Sequence, residues 1–179
     1  MNLPNKLTVL RVIMVPFFVF FMLTDVGGAA NKWIALAIFV IASLTDMLDG
    51  KIARKYNLVT NFGKFMDPLA DKLLVCSAMI AFIELDLIPA WIVIIIIARE
   101  FIISGFRLIA AEKNVVIAAG MSGKIKTTVQ MIMCCLLIAR LPFAFMRYVE
   151  QIFIYAALVL TVYSLIVYLV QNKDILKDN

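Results

Sequence analysis

Six apolar runs follow one another along this chain with only short polar breaks: Leu7–Leu23, Trp33–Leu48, Met66–Ile83, Ile88–Ile109, Gly123–Ala139 and Tyr148–Val170. Roughly 20 apolar residues of helix cross the hydrocarbon core of a bilayer, so runs of this kind leave the chain few folds. No water reaches a backbone N–H or C=O in lipid, and only a helix closes its hydrogen bonds within one segment. All six runs therefore predict α-helices, with Pro16 kinking the first and Pro89 opening the fourth. Composition agrees: 64% of the 179 residues are hydrophobic and 16% charged, against about 45–50% and about 25% in soluble domains. A soluble core of this size has no room for that excess. The expected fold is an all-α integral membrane protein of six transmembrane helices, folded as a single domain over residues 1–179. The first run is not expected to be a cleaved signal peptide, because a second span begins almost at once.

The charges orient the spans. Of the 17 lysines and arginines, only Lys32, Arg140 and Arg147 fall on one side. The others, from Lys6 and Arg11 to Lys173 and Lys177, fall on the opposite side. Basic residues collect on the cytoplasmic face, so both termini are expected to be cytoplasmic, in the cell (inner or plasma) membrane. The net charge of +5 then reflects anionic headgroups, and nucleic acid is not an expected partner. Lys6 and Arg11 read mainly as headgroup anchors, although Asn5, Thr8 and Arg11 are placed to reach a ligand at that surface.

Histidine is absent, which removes Ser–His–Asp and Cys–His catalysis and every imidazole metal site. Cys76, Cys134 and Cys135 lack metal-ligand spacing and lie in apolar runs. Carboxylates remain as metal ligands, and they prefer hard divalent cations such as Mg or Mn.

Four of the acids are oddly placed. Asp46 and Asp49 end the second run, and Asp67 and Asp71 begin the third. Separations of three and four put each pair on one helix face, and the intervening residues, including Gly50, Asn57, Asn61 and Gly63, are expected to loop the chain back. Four converging carboxylates repel one another and resist ionising unless cations join them. Two metal ions bridged by such carboxylates are a recurring way to hold a pyrophosphate for displacement. Asp67 followed by Pro68 also reads as an ordinary helix start, and Asp46 or Asp49 alone as a boundary acid paired with Lys51 or Arg54. Acids at a membrane boundary are costly and tend to be functional, and four at helical spacings favour the metal reading.

The pattern Asp46-x-x-Asp49-Gly50-x-x-Ala53-Arg54, followed by Gly63-x-x-x-Asp67-x-x-x-Asp71, matches the signature of the CDP-alcohol phosphatidyltransferase family, which the chain resembles in its six-span layout as well. The opening NLPNKLTVLR and the AREFIISGFR of the fourth span are similar to the members that use glycerol 3-phosphate. The resemblance implies that Asp46, Asp49 and Asp67 ligate one divalent metal, Mg or Mn, and that Asp46, Asp67 and Asp71 ligate a second. It implies that Gly50, Ala53, Arg54 and Gly63 line the CDP-lipid pocket, and that Asp71 is the general base. The implied reaction moves the phosphatidyl group of CDP-diacylglycerol to glycerol 3-phosphate and releases CMP, at a site facing the cytoplasm and among membrane lipids. The implied assembly is a homodimer.

The acceptor's phosphate needs cations, and Arg99, Arg107, Lys124 and Lys126 are the candidates. Arg99 and Arg107 lie about two helical turns apart and are expected to share a face of the fourth span. Arg99 sits toward the middle of an apolar run, which is costly unless it faces a polar cavity, with Glu100 beside it as a partial offset. Lys124 and Lys126 follow an expected turn at GMSGK and also read as plain positive-inside residues. Other acceptors, such as inositol phosphate, serine or phosphatidylglycerol, keep the same chemistry, and the basic residues argue against serine. A prenyltransferase would carry two separate aspartate motifs. An ion-coupled transporter would place its acids near the bilayer midplane on broken helices.

Overall fold

The computed structural model describes residues 2–55, 61–112 and 120–173 of the chain. Among the described residues six helices follow in order: α1 Leu3–Leu23, α2 Asn31–Lys55, α3 Asn61–Glu84, α4 Ala90–Glu112, α5 Met121–Ala139 and α6 Met146–Gln171. No strand occurs among the described residues. Each expected run is a helix, and each helix extends past the apolar run at one or both ends. The polar ends need no lipid, and residues such as Lys51, Arg54 and Lys55 are good helix formers that prolong α2.

That extension corrects one expectation. Gly50 lies within α2, and Asn61 and Gly63 lie within α3, so these residues are helical rather than part of a loop. Residues 56–60, Asn57 among them, lie outside the described residues. It also sets aside the helix-start reading of Asp67-Pro68, because α3 begins six residues earlier. Lys113 and Lys177, which contribute to the charge bias, lie outside the described residues.

The helix α1 starts at a side-chain cap, with Asn5 N–H donating to Asn2 Oδ1 at 3.2 Å and a proline in the first turn. It runs unbroken through Pro16. A single 3-10 turn, Gly28–Ala30, then leads into α2. Asn31 ties this connection together: its Oδ1 accepts from Gly27 N–H at 2.9 Å and its Nδ2 donates to the Thr24 carbonyl. A Cβ at Gly27 would run into that Oδ1, so the close approach requires glycine.

The chain packs as two compact units, Met1–Leu87 with Cys135–Arg140, and Ile88–Cys134 with Leu141–Asn179. In the first, α1 packs against α2 and α3, and α2 against α3. Phe18 of α1 meets Phe39 of α2 with ring centroids 5.7 Å apart. Ala35 and Ala42 are fully buried beside them on α2, and small residues of this kind let membrane helices approach closely. Lys32 Nζ donates to the Arg140 carbonyl at 3.3 Å, tying the start of α2 to the end of α5. In the second unit α4 packs on α6, where Phe106 meets Tyr168 edge to face at 5.7 Å beside buried Ile103.

Among the described residues, four segments are long and apolar enough to cross a membrane: Asn5–Leu23, Gly28–Thr45, Met121–Ala139 and Met146–Gln171. The helices α3 and α4 have the length but carry charge within it, at Asp67, Asp71 and Lys72 and at Arg99, Glu100 and Arg107. Large apolar side chains such as Phe17, Ile80, Leu108 and Val159 stand outward and exposed. So many exposed large apolar side chains suit a lipid surround.

The turn after α3 has a helix end with Asp86 in the left-handed region at φ 54°. Leu87 N–H donates to the Phe82 carbonyl at 2.9 Å and Asp86 N–H to the Ile83 carbonyl at 3.0 Å, the pairing that usually places glycine at the left-handed position. Asp86→Val should therefore lower stability by about 1–2 kcal/mol, while Asp86→Gly should leave it unchanged or raise it. Thermal melting of the detergent-solubilised variants measures both.

Candidate active site

The four aspartates fall on the two helices that pack together in the first unit. Asp46 and Asp49 lie three residues apart on α2, with Gly50, Ala53 and Arg54 further along it. Asp67 and Asp71 lie four apart on α3, after Gly63. Both pairs sit within continuous helix, so each shares a face as the spacing requires. The side chains of all eight signature residues lie outside the described part of the structure.

The helix α1 contributes Arg11, which is buried rather than a headgroup anchor. Arg11 is 0% exposed, and its Nε donates to the Ala42 carbonyl of α2 at 3.2 Å. Lys6 is exposed, as a headgroup anchor should be; Arg11 is not an anchor of that kind. Ala42 lies one helical turn before Asp46, and Thr45 Oγ1 donates to the same carbonyl at 2.7 Å. Asn5 and Thr8 are buried with Arg11. The spacing of three along an apolar helix puts all of them on one polar stripe, and that stripe was the signal available in the sequence. A buried guanidinium at this turn fixes α1 against the part of α2 that leads into the acidic residues.

The acceptor candidates divide by environment. In the second unit Arg99 is 8% exposed and Lys126 2%, whereas Arg107 and Lys124 are exposed. The expected shared face does not hold: eight residues turn a helix about 80° beyond two full turns, so Arg107 leaves the buried face that Arg99 occupies. The helix α5 starts at Met121, which makes Met121, Ser122 and Gly123 helical rather than a turn and places Lys126 on its second turn.

Glu100 joins the two buried cations. Its Oε1 lies 3.2 Å from Arg99 Nη1 and also accepts from Lys126 Nζ, reaching from α4 to α5. In the sequence Glu100 stands only as an offset to its neighbour Arg99, because nothing local shows that a residue on the next helix points at the same oxygen. Arg99 Nε is buried without a hydrogen-bond partner, as is Gln130 Oε1 one turn after Lys126. Two buried cations share one carboxylate, and buried charge without full compensation is costly. Such a cluster has positive charge and donor capacity to spare for an anion.

A helical membrane protein whose paired helices carry this aspartate pattern falls in the class of membrane-embedded transferases. The chain belongs to the CDP-alcohol phosphatidyltransferase family, whose model matches residues 1–163. It is 46% identical over 190 residues to the CDP-diacylglycerol–glycerol-3-phosphate 3-phosphatidyltransferase of Bacillus subtilis, covering 99% of this chain and 98% of that protein. The enzyme of the same name from Haemophilus influenzae is 40% identical over 188 residues, 99% of this chain and 97% of its own length. That from Rickettsia typhi is 41% identical over 137 residues, 76% of each. With its long apolar helices, the chain is a multi-pass membrane protein.

Replacing Arg11 tests the packing role. Arg11→Ala should lower stability by at least about 1.5 kcal/mol, the lower range for a hydrogen bond to a charged group, read as a drop in melting temperature in detergent. Lys6→Ala, at an exposed position, should leave the melting temperature nearly unchanged.

Proposed function

We propose that this chain transfers the phosphatidyl group of CDP-diacylglycerol to a hydroxyl of glycerol 3-phosphate, giving phosphatidylglycerol phosphate and CMP. The observation that carries this reading is the likeness, over essentially the whole chain, to enzymes named for that reaction. The buried cation pair Arg99 and Lys126 supports an acceptor that itself carries a phosphate.

Donor chemistry decides whether divalent ions suit the aspartates. Four carboxylates on two packed helices, in a chain without histidine, are a hard oxygen set that fits Mg or Mn. Asp46, Asp49 and Asp67 would hold one ion and Asp46, Asp67 and Asp71 the other. Bound there, such ions neutralise the diphosphate and orient it for in-line displacement.

The chain's own residues do the rest. Gly50, Ala53 and Gly63 leave room for the nucleotide diphosphate, and Arg54 pairs with a phosphate oxygen. Asp71 takes the proton of the acceptor hydroxyl as general base. The acceptor oxygen then bonds to the phosphorus of the phosphatidyl group, the bond from that phosphorus to the bridging oxygen breaks, and CMP leaves with the electron pair. Arg99 and Lys126 meet the acceptor's phosphate, where low dielectric strengthens charge pairing, and the exposed Arg107 and Lys124 attract it at longer range. The site faces the cytoplasm at the inner (plasma) membrane, where soluble acceptor and lipid donor meet. Both termini are cytoplasmic, the six helices act as one catalytic domain, and the working assembly is a homodimer.

A panel of acceptors tests the assignment. Purified protein with CDP-diacylglycerol and Mg or Mn should release CMP with glycerol 3-phosphate and much less with serine, inositol phosphate or phosphatidylglycerol. A preference for another of these would replace the acceptor and keep the family. Asp71→Asn should cut turnover at least about hundredfold while CDP-diacylglycerol binding persists, and chelation should abolish turnover reversibly.

A further inference from the structure

We propose that Glu100 is a positioning residue for the acceptor's phosphate, holding the guanidinium of Arg99 so that one edge of its fork is presented to that anion. The inference rests on the acceptor reading above. Its basis is how the three side chains share one oxygen. An arginine offers five donors in a rigid plane, and it binds phosphate best through two parallel N–H groups on one edge. In this chain Nη1 is committed to Glu100 Oε1 at 3.2 Å, while Nε is buried without a partner. The edge formed by Nε and Nη2 is therefore the one left for a ligand. A Cβ built on Gly123 would lie 3.6 Å from Nη2, so glycine at that position leaves this side of the guanidinium uncovered.

Glu100 also accepts from Lys126 Nζ through the same oxygen. One carboxylate thus aligns two cations from different helices and neutralises about one of them. Without it, two like charges at this spacing would repel in a low-dielectric setting, and both long side chains would regain rotamer freedom. A dianionic phosphate monoester would then have to order both side chains at its own expense. With Glu100 in place that ordering is complete before the ligand arrives, which is the general source of affinity from preorganisation.

The experiment compares steady-state kinetics of the full chain in detergent for wild type, Glu100→Ala, Glu100→Gln and Arg99→Lys. A second reading, without turnover, takes the shift in melting temperature on adding glycerol 3-phosphate. Glu100→Ala should raise the KM for glycerol 3-phosphate about tenfold, as expected for loss of one charge-assisted contact. The KM for CDP-diacylglycerol should stay within about twofold, and the ligand-induced shift should shrink. Glu100→Gln keeps an acceptor oxygen without the charge and should raise the acceptor KM by about threefold. An acceptor KM unchanged in Glu100→Gln overturns the proposal even if Glu100→Ala fails to fold. A fall in that KM also overturns it, since Glu100 would then be a competing anion, and so does an equal rise in both substrates' KM. Arg99→Lys separates the two readings. If it too leaves the acceptor KM unchanged, the placing of Arg99 on the acceptor's phosphate fails, whereas absence of CMP release with glycerol 3-phosphate in wild type is what sinks the acceptor reading. If it raises that KM while the Glu100 variants do not, only the positioning role falls.

Discussion

A charge held inside an apolar helical bundle must be met by an opposite charge, a hydrogen bond or a ligand, because lipid and packed side chains offer it no water. This chain is mostly apolar, yet it carries arginine and lysine into its interior. Arg11 is met by the Ala42 carbonyl, and Arg99 and Lys126 by the Glu100 carboxylate. Where helices otherwise gain little from burying apolar surface against one another rather than against lipid, these polar contacts favour one inward face on α1, α4 and α5.

The same constraint explains how the two kinds of charge are distributed. The acids of the signature lie on α2 and α3, and the buried cations of the candidate acceptor region lie on α4 and α5. Under the proposed reaction each set faces a substrate group of opposite need: the carboxylates work through cations on the donor's diphosphate, and the basic residues work directly on the acceptor's phosphate. A cluster with more cationic than anionic side chains is poorly compensated when alone. It becomes well compensated when a phosphate enters, which is how binding energy is gained without new flexible contacts.

Some of this was legible from residues alone. The positions of all six helices followed from hydrophobic run length, and the family from the resemblance carried by the eight-residue signature. Arg99 was suspect because an arginine in the middle of an apolar run is expensive. The helix ends were less legible. Apolar patterning stops where lipid stops, but α2 and α3 continue through polar residues that propensity sustains, so Gly50 and Gly63 proved helical. Nor does the local sequence mark Asp86 for a left-handed turn, because glycine is the residue that usually advertises one.

By itself, then, the order of residues determined the solvent this chain folds in, the number of helices and the chemical kinds of group available, since these depend on composition and on distances along the chain. Tertiary structure alone decided that Arg11 is buried while Lys6 is not, that Arg99 is enclosed while Arg107 is exposed, and that Glu100 and Lys126 meet across two helices. Those outcomes depend on how each helix is rotated about its axis and on which neighbour covers it. Rotation and contact are fixed by packing among residues far apart in the chain, so no local pattern could have declared them.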